Sequence, residues 1–491
     1  MKATKRIQAA VKRRLFPSLI LPAALLTMGH VGSPDVFFQG AAGPYEVRVT
    51  VRPPEVIPGA AELSVRVAGA RSVSVRPARW DAGPTGAPAP EPAQPVRGAP
   101  GLYSARVWLL TASSYALEIE VTGGAGAGRV SIPVAAAPVR RVAMSRAIGG
   151  LLASLLLALL AGGVQLAGAA VREGTLAPGA VPDSERRTRA RGAAAGAALL
   201  AVLGLLAGQR WWGRVDAEHR GKLYQPFQLS AAAAVQGPQR VLALRLDDPR
   251  WLQRRALLAP DHGKLMHLFL LREPSHGVFA HLHPVPVDDQ AFEAALPPLP
   301  AGRYRLYADV TEETGFAHTL TGRVELPPAP RPDPAAEPEL AADEDDSWRL
   351  GPSGSPPAFA WRNREPLTAG RETTLRFALL DGNGRPTALE PYMGMWGHAV
   401  VARDDGAVFV HLHPSGTISM AAQQIFERRW DVGIDPGADP HAAHLMHRED
   451  RSPAELTFPY AFPAPGRYRI WVQAKSGGEV ATGAFDVRVS R

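Results

Sequence analysis

The sequence predicts a mainly β protein: three immunoglobulin-like β-sandwich domains, a transmembrane helical hairpin and an N-terminal signal or anchor helix. Three observations carry that prediction. Short runs of alternating apolar and polar residues recur between Pro/Gly turns, the period-2 signature of half-buried strands. Two uncharged apolar runs sit mid-chain between arginine clusters. A histidine-bearing phrase then occurs twice in the C-terminal half.

Taken in order, residues 1–34 read as a signal peptide or signal anchor. Lys2, Lys5, Arg6, Lys12, Arg13 and Arg14 precede an uncharged run from Leu15 to Pro34, a basic leader before an apolar core. Residues 41–138 read as a sandwich of roughly seven strands. Its runs include Tyr45–Val51, Leu63–Val67, Ser72–Val75, Tyr103–Trp108 and Tyr115–Val121, and it contains no histidine. Residues 147–171 and 192–209 are the two expected spans, since ~20 apolar residues cross a bilayer core of ~30 Å. Between them, residues 172–191 hold Arg172, Arg186, Arg187, Arg189 and Arg191. The positive-inside rule makes that loop cytoplasmic and puts both flanking regions outside, at a bacterial inner membrane. Gly192 and Gly196 are expected to let the spans pack closely.

Composition narrows the chemistry. The 48 glycines and 47 prolines favour short strands and turns over long soluble helices. The net charge of +8 is carried by arginines beside apolar runs, so it reads as topology and not as a nucleic-acid footprint. The absence of cysteine excludes disulfides, thiolate metal sites and cysteine nucleophiles, leaving His, Met and carboxylates as metal ligands.

Residues 222–327 and 358–491 form the internal repeat, joined by an acidic Pro/Ala stretch, 328–357, expected to be a solvated linker. Each copy closes on one strand phrase, Gly302-Arg303-Tyr304-Arg305 and Gly466-Arg467-Tyr468-Arg469. Each also carries a lone histidine and then a pair, His267 with His281 and His283, and His398 with His411 and His413. Of the chain's 14 histidines, all but His30 and His219 lie between His262 and His447.

Side chains alternate faces along a strand, so each His-Leu-His pair projects from one face. Closing the second hairpin at Asp405-Gly406 pairs Val400 with His411 and brings His398 beside His413. Three imidazoles per hairpin can then converge on an ion at ~2 Å per bond. Upstream, aligning His267 with His398 sets His262 against Met393 and Lys264 against Met395. A His-for-Met exchange suits copper, which accepts both donors, with zinc as the alternative ion. Met420, His441, His444, Met446 and His447 add candidate ligands to the second copy, and His318 is the candidate fourth ligand of the first. The competing reading gives these histidines a purely structural role, hydrogen-bonded to loop carbonyls.

The first sandwich, through Tyr45-Glu46-Val47-Arg48-Val49 and the Pro53–Gly59 turn, resembles the YtkA-like/FixH-like immunoglobulin-type modules of bacterial envelopes. The C-terminal modules are similar to uncharacterised envelope proteins that carry Phe-x-His-Leu-His-Pro. The resemblance implies periplasmic copper handling, namely tolerance, storage or delivery, with an envelope protein or an oxidase-assembly factor as partner beside the lipid bilayer. The expectation is therefore a membrane-anchored copper-binding protein with two separate His/Met sites. A metal-free envelope scaffold is the alternative, and a metal-dependent enzyme a third reading, because no Gly-rich phosphate loop, nucleophile elbow or His-Glu-x-x-His helix is present.

Overall fold

The computed structural model describes residues 35–83, 86–177, 179–254, 256–330, 340–351, 359–363, 365–430 and 452–491. The expected leader, 1–34, and the His441–His447 phrase lie outside the described residues.

The N-terminal sandwich pairs a five-stranded sheet with a four-stranded one. Alternation drives it: in Tyr45–Arg52 the residues Tyr45, Val47, Val49 and Val51 face the core while Glu46, Arg48 and Arg52 face out. The domain starts earlier than the alternation suggests, because Val36–Ala42 is its edge strand, paired with Tyr45–Arg52. Phe37 and Phe38, adjacent and both buried, hide the period-2 signal: Phe38 enters the sandwich's own core and Phe37 enters that of the last module.

Two helices follow, Arg146–Glu173 and Ser184–Gly221, both long and apolar enough to cross a membrane. Their leucines face outward, with none of the first helix's residues buried. The second helix starts inside the stretch expected to be loop, because Asp183 caps it, accepting from Arg186 N at 2.7 Å. Close helix approach falls at Gly168, where an added Cβ would meet Ala190 O and Ala194 Cβ at 3.4 Å, and not at Gly192 or Gly196.

Each histidine module is a sandwich. The first has a four-stranded sheet and a six-stranded one, the second a three-stranded and a five-stranded sheet. In both, the larger sheet has the same centre. His267–Arg272 lies between Val278–Leu282 and Gly302–Glu312, and His398–Arg403 lies between Phe409–Leu412 and Gly466–Ser476. One face of each sheet covers its own core, with Leu268, Leu270 and Ala280 in the first copy and Ala399, Val401 and Val410 in the second.

The opposite faces pack on each other. Phe269, Leu271, Phe279 and Tyr307 meet Val400, Ala402, Phe409, Trp471 and Ala484 in one buried cluster. The contacts are related by an approximate two-fold. Phe279 stacks on Trp471 at 4.9 Å between centroids, and their counterparts Phe409 and Tyr307 stack at 4.0 Å. The repeated Gly-Arg-Tyr-Arg phrase is part of this device. Its tyrosine anchors locally, Tyr304 Oη to Pro300 O and Tyr468 Oη to Ala464 O. Its second arginine grips the other module's hairpin turn, Arg305 on Asp405 O at 2.8 Å and Arg469 on His276 O at 2.7 Å.

Part of the supposed linker is structural. Ser347–Leu350 adds a strand beside Val278–Leu282, because Ser347 and Arg349 alternate inward and are buried there.

Candidate metal centre

Sheet pairing delivers all three hairpin histidines of each copy to the shared interface. Val400 opposes His411, and Phe269 opposes His281, the same register in both copies. His267 and His398 therefore sit at equivalent positions, as do His281 with His411 and His283 with His413. The two expected clusters adjoin: because the hairpins face each other, their six imidazoles meet at one interface. Ring centroids lie 4.6 Å apart for His281 and His283, 4.6 Å for His411 and His413, and 5.6 Å for His267 and His411 across the interface.

His262 is the seventh member, and it leaves its own hairpin. It occupies a tight turn closed by Asp261 and Lys264 through reciprocal backbone hydrogen bonds, with φ +52° and Gly263 next at +80°. Two successive left-handed residues make this a type I′ geometry, strained for a non-glycine at the first position. The turn sends the His262 ring over to the second module, 5.6 Å from His398 and 5.3 Å from His413. Met393 repeats the device at φ +51° with Gly394 at +73°, between Tyr392 and Met395. The alignment of His262 with Met393 thus holds in backbone geometry. Met393 and Met395 are buried, and Tyr392 lays its ring 5.1 Å from His398.

Hydrogen bonding sets the tautomers. His281 Nδ1–H donates to Gln473 Oε1 at 3.1 Å, His283 Nδ1–H to Asp346 Oδ1 at 3.1 Å and His413 Nδ1–H to Ile418 O at 2.9 Å. In each case Nδ1 is the donor, so Nε2 carries the lone pair. His267 is reversed: its Nε2–H donates to Asp261 O at 3.2 Å, leaving the lone pair on Nδ1. His267 Nδ1 and His281 Nε2 then face each other at 3.2 Å, acceptor to acceptor. With both rings neutral, that contact is repulsive without a cation between them. Two nitrogens bound tetrahedrally to one ion at ~2.0–2.1 Å would be about 3.3 Å apart. The buried Nε2 atoms of His283, His398, His411 and His413, and Nδ1 of His398, have no hydrogen-bond partner.

The surroundings favour the neutral form of five of the rings. Burial, then neighbouring imidazoles, push His281, His283, His398 and His411 well below the usual histidine range, and His262 to about 3. Neutral imidazole is the metal-binding form. Carboxylates ring the site. Burial raises Asp309 to about 6 and Asp346 to about 7.

Gln473 and Asp309 are two-fold counterparts, each paired across its own sheet to the lone histidine, His398 and His267 respectively. Each then reaches over to the other module, Gln473 to His281 and Asp309 Oδ2 to within 3.5 Å of His411 Nδ1. Sequence reasoning missed both, although each stands seven residues after the glycine of the repeated Gly-Arg-Tyr-Arg phrase. It also missed Asp346, placed by the acidic segment.

The structure turns His318 away from the other histidines. It pairs with Val310, which faces the module's own core, so its ring turns away from the interface. It stacks on Phe316 at 4.5 Å, and its Nε2 lies 2.8 Å from Glu312 Oε1. Met420 opens the helix Met420–Trp430 and is half-buried. His441, His444, Met446 and His447 lie outside the described residues.

A cavity of about 790 Å³ lies where the N-terminal sandwich meets both modules. Its wall includes Asp309, His411 and His413 from the site, and Arg140 and Tyr224 from the segments leading to and from the apolar helices. The N-terminal sandwich also holds the loop after His413, with Gln39 N donating to Ser415 O at 2.7 Å and Thr417 N to Phe37 O at 3.0 Å.

Among known proteins, a family model described as a domain of unknown function, DUF8832, matches residues 358–491, the second histidine module with its leading segment. No curated protein matches the chain. A search of solved structures finds a tetra-tandem repeat from the extending region of a large adhesion protein at 9% identity, covering 92% of this chain and 82% of that one, TM-score 0.15. It also finds the D1–D4 ectodomain fragment of ICAM-5 at 11% identity, covering 93% and 83%, TM-score 0.15. A putative membrane anchored protein from Corynebacterium diphtheriae is 9% identical, covering 93% and 96%, TM-score 0.14. Superpositions this poor carry no functional argument.

Proposed function

We propose that the chain is a membrane-anchored, extracytoplasmic copper-binding protein whose metal centre is built between its two histidine modules. The observation that carries this reading is the facing pair of imidazole acceptors, His267 Nδ1 and His281 Nε2 at 3.2 Å. Hydrogen bonds that fix Nδ1–H on a ligand and free Nε2 are what orients metal-binding histidines. An all-imidazole donor set suits copper or zinc, and a buried methionine at the position equivalent to His262 favours copper.

The membrane part of the reading has its own support. The regions before and after the two apolar helices touch, with Tyr224 N donating to Pro138 O at 2.7 Å, so both lie on one side of the helical hairpin. The arginine-rich connection then makes that side extracytoplasmic. Copper handling in this setting means binding for tolerance, storage or delivery.

The test is copper and zinc content of the detergent-purified full chain, with and without His411→Ala and His413→Ala. Retained copper that the substitutions reduce supports the proposal. A chain that retains neither metal favours the scaffold reading, in which the stacked aromatic interface only holds the modules together.

A further inference from the structure

Resting on the copper reading, we infer that the interface holds two ions as a pair, one of them bound only where the two modules meet. Six of the seven histidines fall into two triads with no shared member. His267, His281 and His283 form one, and His262, His398 and His413 the other; within each set the ligand nitrogens lie within 4.8 Å of one another. The first triad belongs wholly to the first module. The second takes two imidazoles from the second module and its third from the strained turn of the first.

One ion cannot serve both sets. A four-coordinate ion satisfies at most four imidazoles, and an ion in the first triad leaves His398 buried with neither ring nitrogen partnered. His413 Nε2 is in the same condition. The second triad therefore has its own unmet need for a cation. The triads are in contact, with centroids 5.9 Å apart for His262 and His267 and 6.4 Å for His281 and His398. His411 stands between them, 5.6 Å from His281 and 5.3 Å from His398.

Charge is balanced locally. Asp261 lies 3.6 Å from His262, Asp309 3.5 Å from His411 and Asp346 3.1 Å from His283, so carboxylates flank both triads against the repulsion between two cations. Three protein ligands leave a tetrahedral ion one open position, and the 790 Å³ cavity reaches the His413 side of the pair. A small exogenous donor has a route to that ion.

The experiment uses the full chain in detergent with copper ions alone as the probe. Copper per chain is counted, and the electron-spin signal of the oxidised protein is integrated against it. The expected result is two coppers per chain whose signal is broadened and split by dipolar coupling, since Cu(II) ions in adjoining triads interact through space. His398→Ala and His283→Ala should each keep one copper at full spin intensity, and the double variant none. Each single variant thereby checks that the other still folds. One copper in the unaltered chain, or loss of all copper from either single variant, overturns the pair while leaving the copper reading intact. Two coppers whose signals show no spin–spin coupling also overturn it. No copper in the unaltered chain overturns the copper reading and the pair with it.

Discussion

His281 and Gln473 stand 192 residues apart on different modules, and Nδ1–H of the first donates to Oε1 of the second at 3.1 Å. The same amide donates to Ser347 Oγ on the strand contributed by the acidic segment. One glutamine thus fixes a histidine's tautomer and ties three chain segments together. Gln473→Ala is expected to weaken copper binding about 10–100-fold, as loss of an outer partner of a ligating histidine does. It should also destabilise the metal-free fold by about 1–3 kcal/mol through the buried groups left unpaired. Competition with a copper chelator and urea titration measure the two effects. Unchanged affinity would mean that the amide does not orient a ligand.

Trp471 carries the packing counterpart of that bond. It is buried at the module interface against Phe279, rings 19° from parallel. Trp471→Ala is expected to cost about 3–5 kcal/mol. The copper held by His262, His398 and His413 should be lost together with the interface, although no ligand is removed. Calorimetry and metal content on the same sample would show this; full copper retention would separate the centre from module docking.

Proton linkage gives the metal-free protein a defined acid sensitivity. Burial holds the pKa of His281, His283, His398 and His411 well down in the folded state and that of His262 at about 3, whereas an unfolded chain binds these protons near ~6.5. The unfolded state takes up more protons between those values, so stability is full above ~6.5 and is lost as pH falls toward 3. The urea midpoint of the metal-free protein at about pH 5 should lie below that at about pH 7.5. Equal midpoints would contradict neutral, buried imidazoles.

His318 supplies the contrast. Enclosed by Phe316, Tyr224, Phe227 and Trp251, it bonds Glu312, which Arg254 also holds at 2.7 Å. His318→Ala should lower thermal stability and leave copper content unchanged. A fall in copper per folded chain would return this residue to the site.

The hairpins themselves were legible because strand alternation and a turn signal fix which side chains share a face. The register Val400 to His411 follows from Asp405-Gly406 alone. That the two hairpins face each other was not legible. Alternation in Phe269, Leu271 and Val400, Ala402 is broken by apolar residues on both faces, which reads equally as a deeply buried strand or a docking surface. His262 could be aligned with Met393 but not placed, since its direction depends on a left-handed turn residue. The acidic segment misled through composition: Asp343 and Asp346 look solvated, yet they bond Lys264 and His283. His318 misled because a lone histidine on a strand carries no record of which sheet face will be covered.

The most direct measurement is X-ray absorption at the copper edge on the copper-loaded full chain, alongside the His267→Ala/His413→Ala variant. The account predicts imidazole scattering from about three nitrogens per copper, weakened or lost in the variant. Copper bound through oxygen donors alone, or imidazole scattering unchanged by removing both histidines, would contradict a metal centre built between the two modules.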